Sequence, residues 1–130
     1  MSESIFTKII KGEIPAHKLY EDDQTLAFLD IHPVQPGHTL VVPKVQIDKV
    51  YDLDEATHQA LMATVKKVAA HLDAVLGKRV SYRVTGVDVP HAHVQLIPFS
   101  DVSELKVQQD MTTEPDHEAL AAMAKRLRLE

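Results

Sequence analysis

The strongest constraint on the fold is a change in the spacing of apolar residues near the middle of the chain. Over residues 54–76, apolar side chains recur every three or four positions, which predicts one long amphipathic helix. Asp54 is a favourable cap at its start, and Gly77 is a favourable stop. The apolar segments on either side are short and bounded by turn residues, as is typical of strands. Strands are predicted over residues 19–21, 25–29, 39–42, 79–85 and 91–98.

Two shorter helices complete the predicted elements, over residues 4–11 and 114–127, where apolar residues again follow helical spacing. Neighbouring strands joined by tight turns favour an antiparallel sheet. We therefore predict an α+β fold with one long helix and one C-terminal helix. The length of 130 residues is typical of one domain, so a single domain over residues 1–130 is expected.

Composition excludes several classes of function. The formal net charge is −5 and no basic run is present, so we expect no nucleic-acid partner. The sequence has no cysteine, which excludes disulfides, zinc–cysteine sites and thiol catalysis, and which fits a reducing cytosol. No apolar run approaches the ~20 residues of a membrane span, and the N-terminus lacks the pattern of a signal peptide. We therefore expect no membrane partner and a cytoplasmic location.

The segment 91–98 carries the residues best suited to chemistry. In a strand, His91, His93 and Gln95 share one face, with neighbours on that face about 6.5–7 Å apart. A neutral imidazole can attack a phosphoryl group and form a covalent intermediate, provided that an acceptor holds its other ring nitrogen. The same pattern also fits a solvated strand face, or a site for zinc or iron. The spacing alone leaves all three interpretations open.

Four sequence blocks together resemble the histidine-triad (HIT) family of nucleotide hydrolases and transferases. The family motif is His-x-His-x-His followed by apolar residues, and here it reads His91-Ala92-His93-Val94-Gln95-Leu96-Ile97. Three further blocks, at residues 5–15, 26–31 and 36–44, are similar to the segments that precede the motif in the family. The four blocks follow the family order across residues 4–98.

The resemblance implies an α+β fold, usually in a homodimer, and a substrate with a purine mononucleotide moiety such as AMP or GMP. It implies no cofactor and no protein-bound metal for the reaction. By position, His93 matches the family's nucleophile and His91 matches the first triad member, which supports the phosphate site. Gln95 would hold phosphate oxygens beside them. His38 matches a histidine that orients the nucleophile from a neighbouring strand.

The same resemblance implies a nucleoside subsite. Asp30 matches the carboxylate that accepts hydrogen bonds from ribose hydroxyls, a role that suits an acceptor-only group. Apolar side chains suit the two faces of a purine. The residues that match this clamp are Phe6, Ile9, Phe28 and Ile31. The remaining histidines are expected to be incidental, with His32 near enough to Asp30 for a marginal role.

Three departures from the family pattern affect the expected chemistry. Gln95 replaces the third histidine, as in the family's transferase and phosphorylase branches, and an amide cannot carry a proton to the leaving group. The loop 85–90 is short and lacks the phosphate-binding Gln and Ser or Thr of many members. Asp88 cannot replace those donors and is expected to point away. The zinc site of some bacterial members is lost, because Ser4, Thr7 and Gln46 occupy its places.

We therefore predict a nucleotide hydrolase or nucleotidyl transferase. Its substrates would be nucleoside phosphoramidates, dinucleoside polyphosphates or related nucleotide conjugates, and the reaction would pass through a nucleotidyl-histidine intermediate. Two alternatives belong to other classes. One is a nucleotide-binding module with little or no catalysis. The other is a metal-dependent enzyme that uses His91, His93 and His38.

Overall fold

An antiparallel sheet of five strands lies at the centre of the computed structural model, which describes residues 2–86 and 89–129. The strand order across the sheet is β1-β2-β3-β5-β4, and every neighbouring pair is antiparallel. The strands are β1 Lys18–Glu21, β2 Thr25–Leu29, β3 Thr39–Pro43, β4 Arg79–Arg83 and β5 Val94–Phe99. The predicted α+β fold with an antiparallel sheet is confirmed.

Helix α2, Glu55–Leu76, covers one face of the sheet. It begins as predicted, because the Asp54 carboxylate accepts a hydrogen bond from the Thr57 amide. It ends at Gly77, whose φ of 66° is readily available only to glycine. The C-terminal helix α3, His117–Leu127, packs into the same apolar core.

The opposite face of the sheet is covered in part by the short helix α1, Ile5–Ile10. Side chains along β2 and β3 point alternately to the two faces, so both strands are buried throughout. The cluster on the α1 side consists of Phe6, Ile9, Leu26, Phe28, Leu40 and Val42. The candidate site described below lies on this face of the sheet, beside α1.

The predicted strand over residues 91–98 is wrong at its start. Strand β5 begins at Val94, because the backbone amides of His91 and Ala92 donate to the carbonyls of Val89 and Ile47 rather than to β3. His91 and His93 therefore lie in an irregular segment before the strand. Their side-chain directions are set by individual contacts and not by strand alternation.

Smaller boundary differences also have local causes. Helix α3 begins at His117 rather than at residue 114, because Asp116 caps it by accepting from the Ala119 amide. The predicted strand 79–85 ends at Arg83. Within the segment 100–113, expected to be irregular, Val102–Lys106 forms a 3₁₀ turn that begins with a capping box from Asp101 and Glu104.

Candidate active site

A cavity of about 750 Å³ lies between α1 and the sheet face opposite α2. Its volume is within the range of small-molecule sites in proteins. All five predicted nucleotide-binding residues line it, together with two of the four predicted catalytic residues. These lining residues are Phe6, Ile9, Phe28, Asp30, Ile31, His93 and Gln95.

One cross-strand row of the sheet forms the floor of this cavity. Phe28 on β2 pairs with Leu40 on β3, Leu40 pairs with Gln95 on β5, and Gln95 pairs with Arg83 on β4. All four residues line the cavity. At a strand spacing of about 4.8 Å, the backbones of Phe28 and Arg83 are about 14 Å apart. The floor is therefore apolar at its β2 end and polar at its β4 end.

His93 is held in one tautomer. Its Nδ1 lies 2.9 Å from the carbonyl oxygen of His91, and a carbonyl only accepts, so Nδ1 carries the proton. Its Nε2 consequently keeps a free lone pair. The Phe6 ring packs edge-on against the imidazole at a centroid distance of 5.1 Å. His93 thus has the tautomer that a nitrogen nucleophile needs, at the wall of the cavity.

His38 forms its side-chain hydrogen bonds with Gln95 and Val34, and none with His93 among the described residues, which does not fit the expected direct hold on the nucleophile. The Val34 amide donates to His38 Nδ1 at 3.0 Å, so the ring proton is on Nε2, which donates to Gln95 Oε1 at 2.9 Å. The ring is fully buried, and this burial lowers the pKa of His38, although the Asp30 carboxylate opposes the shift. His38 is therefore neutral and orients the glutamine.

The amide group of Gln95 has a fixed direction. Its Oε1 accepts from His38 Nε2 and also from Arg83 Nη2, at 3.2 Å. Within the described parts of the chain, its NH₂ group has no protein acceptor, and the residue lines the cavity. Gln95 therefore offers a hydrogen-bond donor to a ligand.

His91 does not reach the cavity, which corrects the predicted role at the phosphate. Its side chain is fully buried, with Nε2 donating to the Pro43 carbonyl at 2.8 Å and Nδ1 accepting from the Ser4 hydroxyl at 2.8 Å. Both ring nitrogens are thus occupied by protein groups. Burial lowers the pKa of His91, so it is held neutral.

The polar cluster around His91 brings together the three residues expected at the lost zinc site. The Gln46 Oε1 accepts from the Thr7 hydroxyl and from the Ser4 amide, each at 2.7 Å. The Ser4 hydroxyl also accepts from the Thr7 amide and so caps α1. Hydrogen bonds therefore tie α1 to the segment that carries His91 and His93.

A metal site of His91, His93 and His38 does not fit this arrangement. The ring nitrogens of His91 and His38 all have protein partners, as does Nδ1 of His93. In residues 2–86 and 89–129, no group of three or more His, Cys, Asp or Glu side chains is placed to hold a metal ion.

Asp30 lies at the apolar end of the cavity, where a segment near the C-terminus contacts it. Its Oδ1 accepts from the His32 amide at 2.8 Å, and its Oδ2 accepts from Gln109 Nε2 at 3.1 Å. The Phe6 and Phe28 rings meet edge to face beside it, with centroids 5.6 Å apart. The Gln109 amide therefore occupies part of the acceptor capacity of Asp30.

Comparison with known proteins identifies the family. Residues 11–102 match the model of the HIT domain. The chain belongs to the HIT family. An adenosine 5′-monophosphoramidase of Saccharomyces cerevisiae is 34% identical over 125 residues, which are 95% of this chain and 79% of the yeast protein. The crystal structure of a HIT-like protein from Bartonella henselae superposes with a TM-score of 0.82 at 31% identity, over 97% of this chain and 95% of that one.

A zinc-bound histidine-triad family protein from Mycobacterium smegmatis is also similar in structure. It has a TM-score of 0.73 and 27% identity, over 95% of this chain and 94% of its own. In the present HIT protein, the hydrogen bonds of Ser4, Thr7 and Gln46 fasten α1 to the segment that carries His91.

Replacing Ser4 by alanine tests this role. The substitution removes the cap of α1 and leaves His91 Nδ1 buried with a weaker partner, Thr7 Oγ1 at 3.3 Å. We expect Ser4→Ala to lower the free energy of unfolding by about 1–3 kcal/mol, as measured by urea denaturation. Ser2→Ala, an exposed serine two residues earlier, is the matched control and should cause no measurable change. Equal stability of the two variants would contradict the assignment.

Several residues that line the cavity have no signal for this position in the sequence. Arg83 lies beside Gln95 because of the pairing register between β4 and β5. A segment that follows the 3₁₀ turn also lines the cavity, through Val107, Gln108, Gln109 and Met111. Val87 and Asp88 lie outside the described residues, so the expected direction of Asp88 stays a prediction.

No helix among the described residues is long and apolar enough to cross a membrane.

Proposed function

We propose that this HIT protein is a nucleotide hydrolase or nucleotidyl transferase that works through a nucleotidyl-histidine intermediate on His93. The observation that carries the proposal is the hydrogen bond from His93 Nδ1 to the His91 carbonyl, at 2.9 Å. In the neutral ring this bond leaves the lone pair on Nε2, and His93 lines the cavity. The similarity to a yeast adenosine 5′-monophosphoramidase supports hydrolysis of a nucleotide conjugate.

The lining of the cavity suggests how the nucleoside would bind. A purine would lie against Phe6, Ile9, Phe28 and Ile31, which provide apolar contacts at the β2 end. The Asp30 carboxylate would accept hydrogen bonds from the ribose hydroxyls after displacing Gln109. This placement directs the 5′-phosphate along the floor toward His93 and Gln95.

The reaction would proceed in two displacements. The lone pair of His93 Nε2 attacks the α-phosphorus, a P–N bond forms, and the bond from phosphorus to the leaving group breaks with its electron pair on the leaving group. The Gln95 NH₂ donates to a non-bridging oxygen, in an orientation set by His38. Water or another acceptor then attacks phosphorus, the P–N bond breaks, and its electron pair returns to Nε2. When water is the acceptor, its proton passes to solvent.

A product assay by mass spectrometry tests the proposal. The protein is incubated with adenosine 5′-phosphoramidate and, separately, with a diadenosine polyphosphate, each with and without orthophosphate. AMP from either substrate in the absence of orthophosphate supports a hydrolase. ADP that forms from the phosphoramidate only when orthophosphate is present supports a transferase. Nucleotide binding without any product would overturn the catalytic proposal in favour of a binding module.

We further propose that the protein forms a homodimer through β4. This strand is at an edge of the sheet. Tyr82 on the strand is 50% exposed, and Val84, which follows the strand, is 55% exposed. An unpaired edge with apolar side chains is suited to pairing with a second copy.

We expect a dimer in light-scattering measurements of the wild type and a monomer for Tyr82→Lys. Tyr51→Lys, at a tyrosine that is 80% exposed, is the matched control and should remain dimeric. A monomeric wild type would contradict the proposal.

The cytoplasmic location stays a prediction from the sequence.

A further inference from the structure

Arg83 carries the positive charge of the cavity. It is the only lysine or arginine among the described residues that line the cavity. Its Nη2 donates to Gln95 Oε1, while its Nε is buried and has no hydrogen-bond partner in the described parts of the chain. A buried donor without an acceptor is costly, and a guanidinium is well suited to two oxygens of one phosphate. The unused donors therefore point to an anionic ligand.

The position of Arg83 along the cavity floor indicates which part of a substrate it would meet. In the row Phe28, Leu40, Gln95 and Arg83, it lies at the end opposite the apolar clamp. A nucleoside bound at Phe28 places its α-phosphate near Gln95, one strand spacing of about 4.8 Å before Arg83. The group beyond the α-phosphate, which is the leaving group, then lies at Arg83.

The chemistry of Gln95 agrees with an anionic leaving group. An amine must take up a proton to leave a phosphoramidate as a neutral molecule, and an amide side chain cannot supply that proton. The neighbouring His38 cannot supply it either, because its Nε2–H is directed to Gln95 Oε1. A phosphate leaving group departs as an anion and requires positive charge instead of a proton.

We propose that Arg83 binds the leaving phosphate and makes this protein selective for substrates whose leaving group is anionic, such as dinucleoside polyphosphates, over phosphoramidates. The inference rests on the proposed function. In the step concerned, His93 Nε2 attacks the α-phosphorus and the bond from that phosphorus to the bridging oxygen breaks. The electron pair stays on the bridging oxygen. The nucleotide that leaves carries this added negative charge on its terminal phosphate, which the Arg83 guanidinium neutralises.

Steady-state kinetics of Arg83→Gln with two substrates test the proposal. The substrates are diadenosine tetraphosphate, which has an anionic leaving group, and adenosine 5′-phosphoramidate, which releases an amine. For the tetraphosphate we expect kcat/KM to fall by about 100-fold or more. For the phosphoramidate we expect a loss at least about tenfold smaller, because only the contact of Arg83 with Gln95 Oε1 is shared by both reactions. Arg83→Lys, which keeps the charge but not the fork of donors, should recover part of the loss for the tetraphosphate alone.

Two controls keep the result interpretable. Arg126→Gln, at an exposed arginine on α3, should leave both substrates unaffected. If Arg83→Gln does not fold, Arg83→Lys takes its place. The quantity compared with the wild type is then the kcat/KM for the tetraphosphate divided by the kcat/KM for the phosphoramidate, which should be lower in the variant. An equal loss for both substrates, or no loss for either, would overturn the role of Arg83 and leave the proposed function standing. Failure of the wild type to turn over either substrate would overturn both proposals.

Discussion

His93→Ala is expected to lower turnover by about 10⁴-fold or more with any substrate of this HIT protein, because it removes the nitrogen that would form the covalent intermediate. His93 lines the cavity together with Gln95, and its Nδ1–H donates to the His91 carbonyl. Steady-state rates of AMP formation provide the measurement. Titration with AMP should show that the variant still binds nucleotide, because the clamp and Asp30 are unchanged.

A histidine outside the cavity provides the control for this result. His58→Ala changes a residue of α2 that does not line the cavity, and its turnover should equal that of the wild type. Circular dichroism would show that both variants are folded. Full turnover by His93→Ala would contradict the mechanism at its central step. A loss of equal size in His58→Ala would show that the effect on His93 is not specific.

Acidification is expected to destabilise the protein through His38 and His91. Burial lowers the pKa of both histidines below their ordinary value of 6.5. Above that value both rings are neutral in the folded and the unfolded chain, so stability is at its full level. As the pH falls below about 6.5, the unfolded chain takes up protons that the folded chain excludes. The free energy of unfolding then decreases by up to about 1.4 kcal/mol per pH unit for each histidine, until the folded-state pKa is reached.

Urea denaturation between about pH 8 and about pH 5 measures this dependence. Over the lower half of that pH range, the two histidines together should make the free energy of unfolding fall by up to about 2.7 kcal/mol for each unit of decrease in pH. His91→Gln separates their contributions, because glutamine can donate to the Pro43 carbonyl and accept from Ser4 without titrating. Its slope should be lower than that of the wild type by up to about 1.4 kcal/mol per pH unit. A wild-type stability that does not change over this range would contradict the neutral burial of both rings.

The fold was largely predictable because its main elements have local signals. The α2 stripe, its Asp54 cap and the Gly77 stop are all set by neighbouring residues. The start of β5 was not predictable in this way. His91 and Ala92 donate their amides to backbone groups outside the sheet, one of them on the distant Ile47, and no local pattern in the sequence reports such a bond.

The motif and the resemblance named residues that the structure brings to one cavity, although their roles there stay predictions. These residues are His93, Gln95, Asp30 and the apolar clamp. The partner of His38 depends on the register between β3 and β5, and the burial of His91 depends on how α1 packs, so both roles were misassigned. Arg83 was missed for the same reason, because its place beside Gln95 is a property of strand pairing.

Trapping the covalent intermediate tests the central claim most directly. The wild type is mixed with diadenosine tetraphosphate or adenosine 5′-phosphoramidate, quenched during the first turnover under conditions that preserve a P–N bond, digested and analysed by mass spectrometry. We expect one peptide whose mass increases by that of an adenylyl group, with fragmentation that assigns the group to His93. Turnover without any modified peptide, or an adenylyl group on another residue, would contradict this claim.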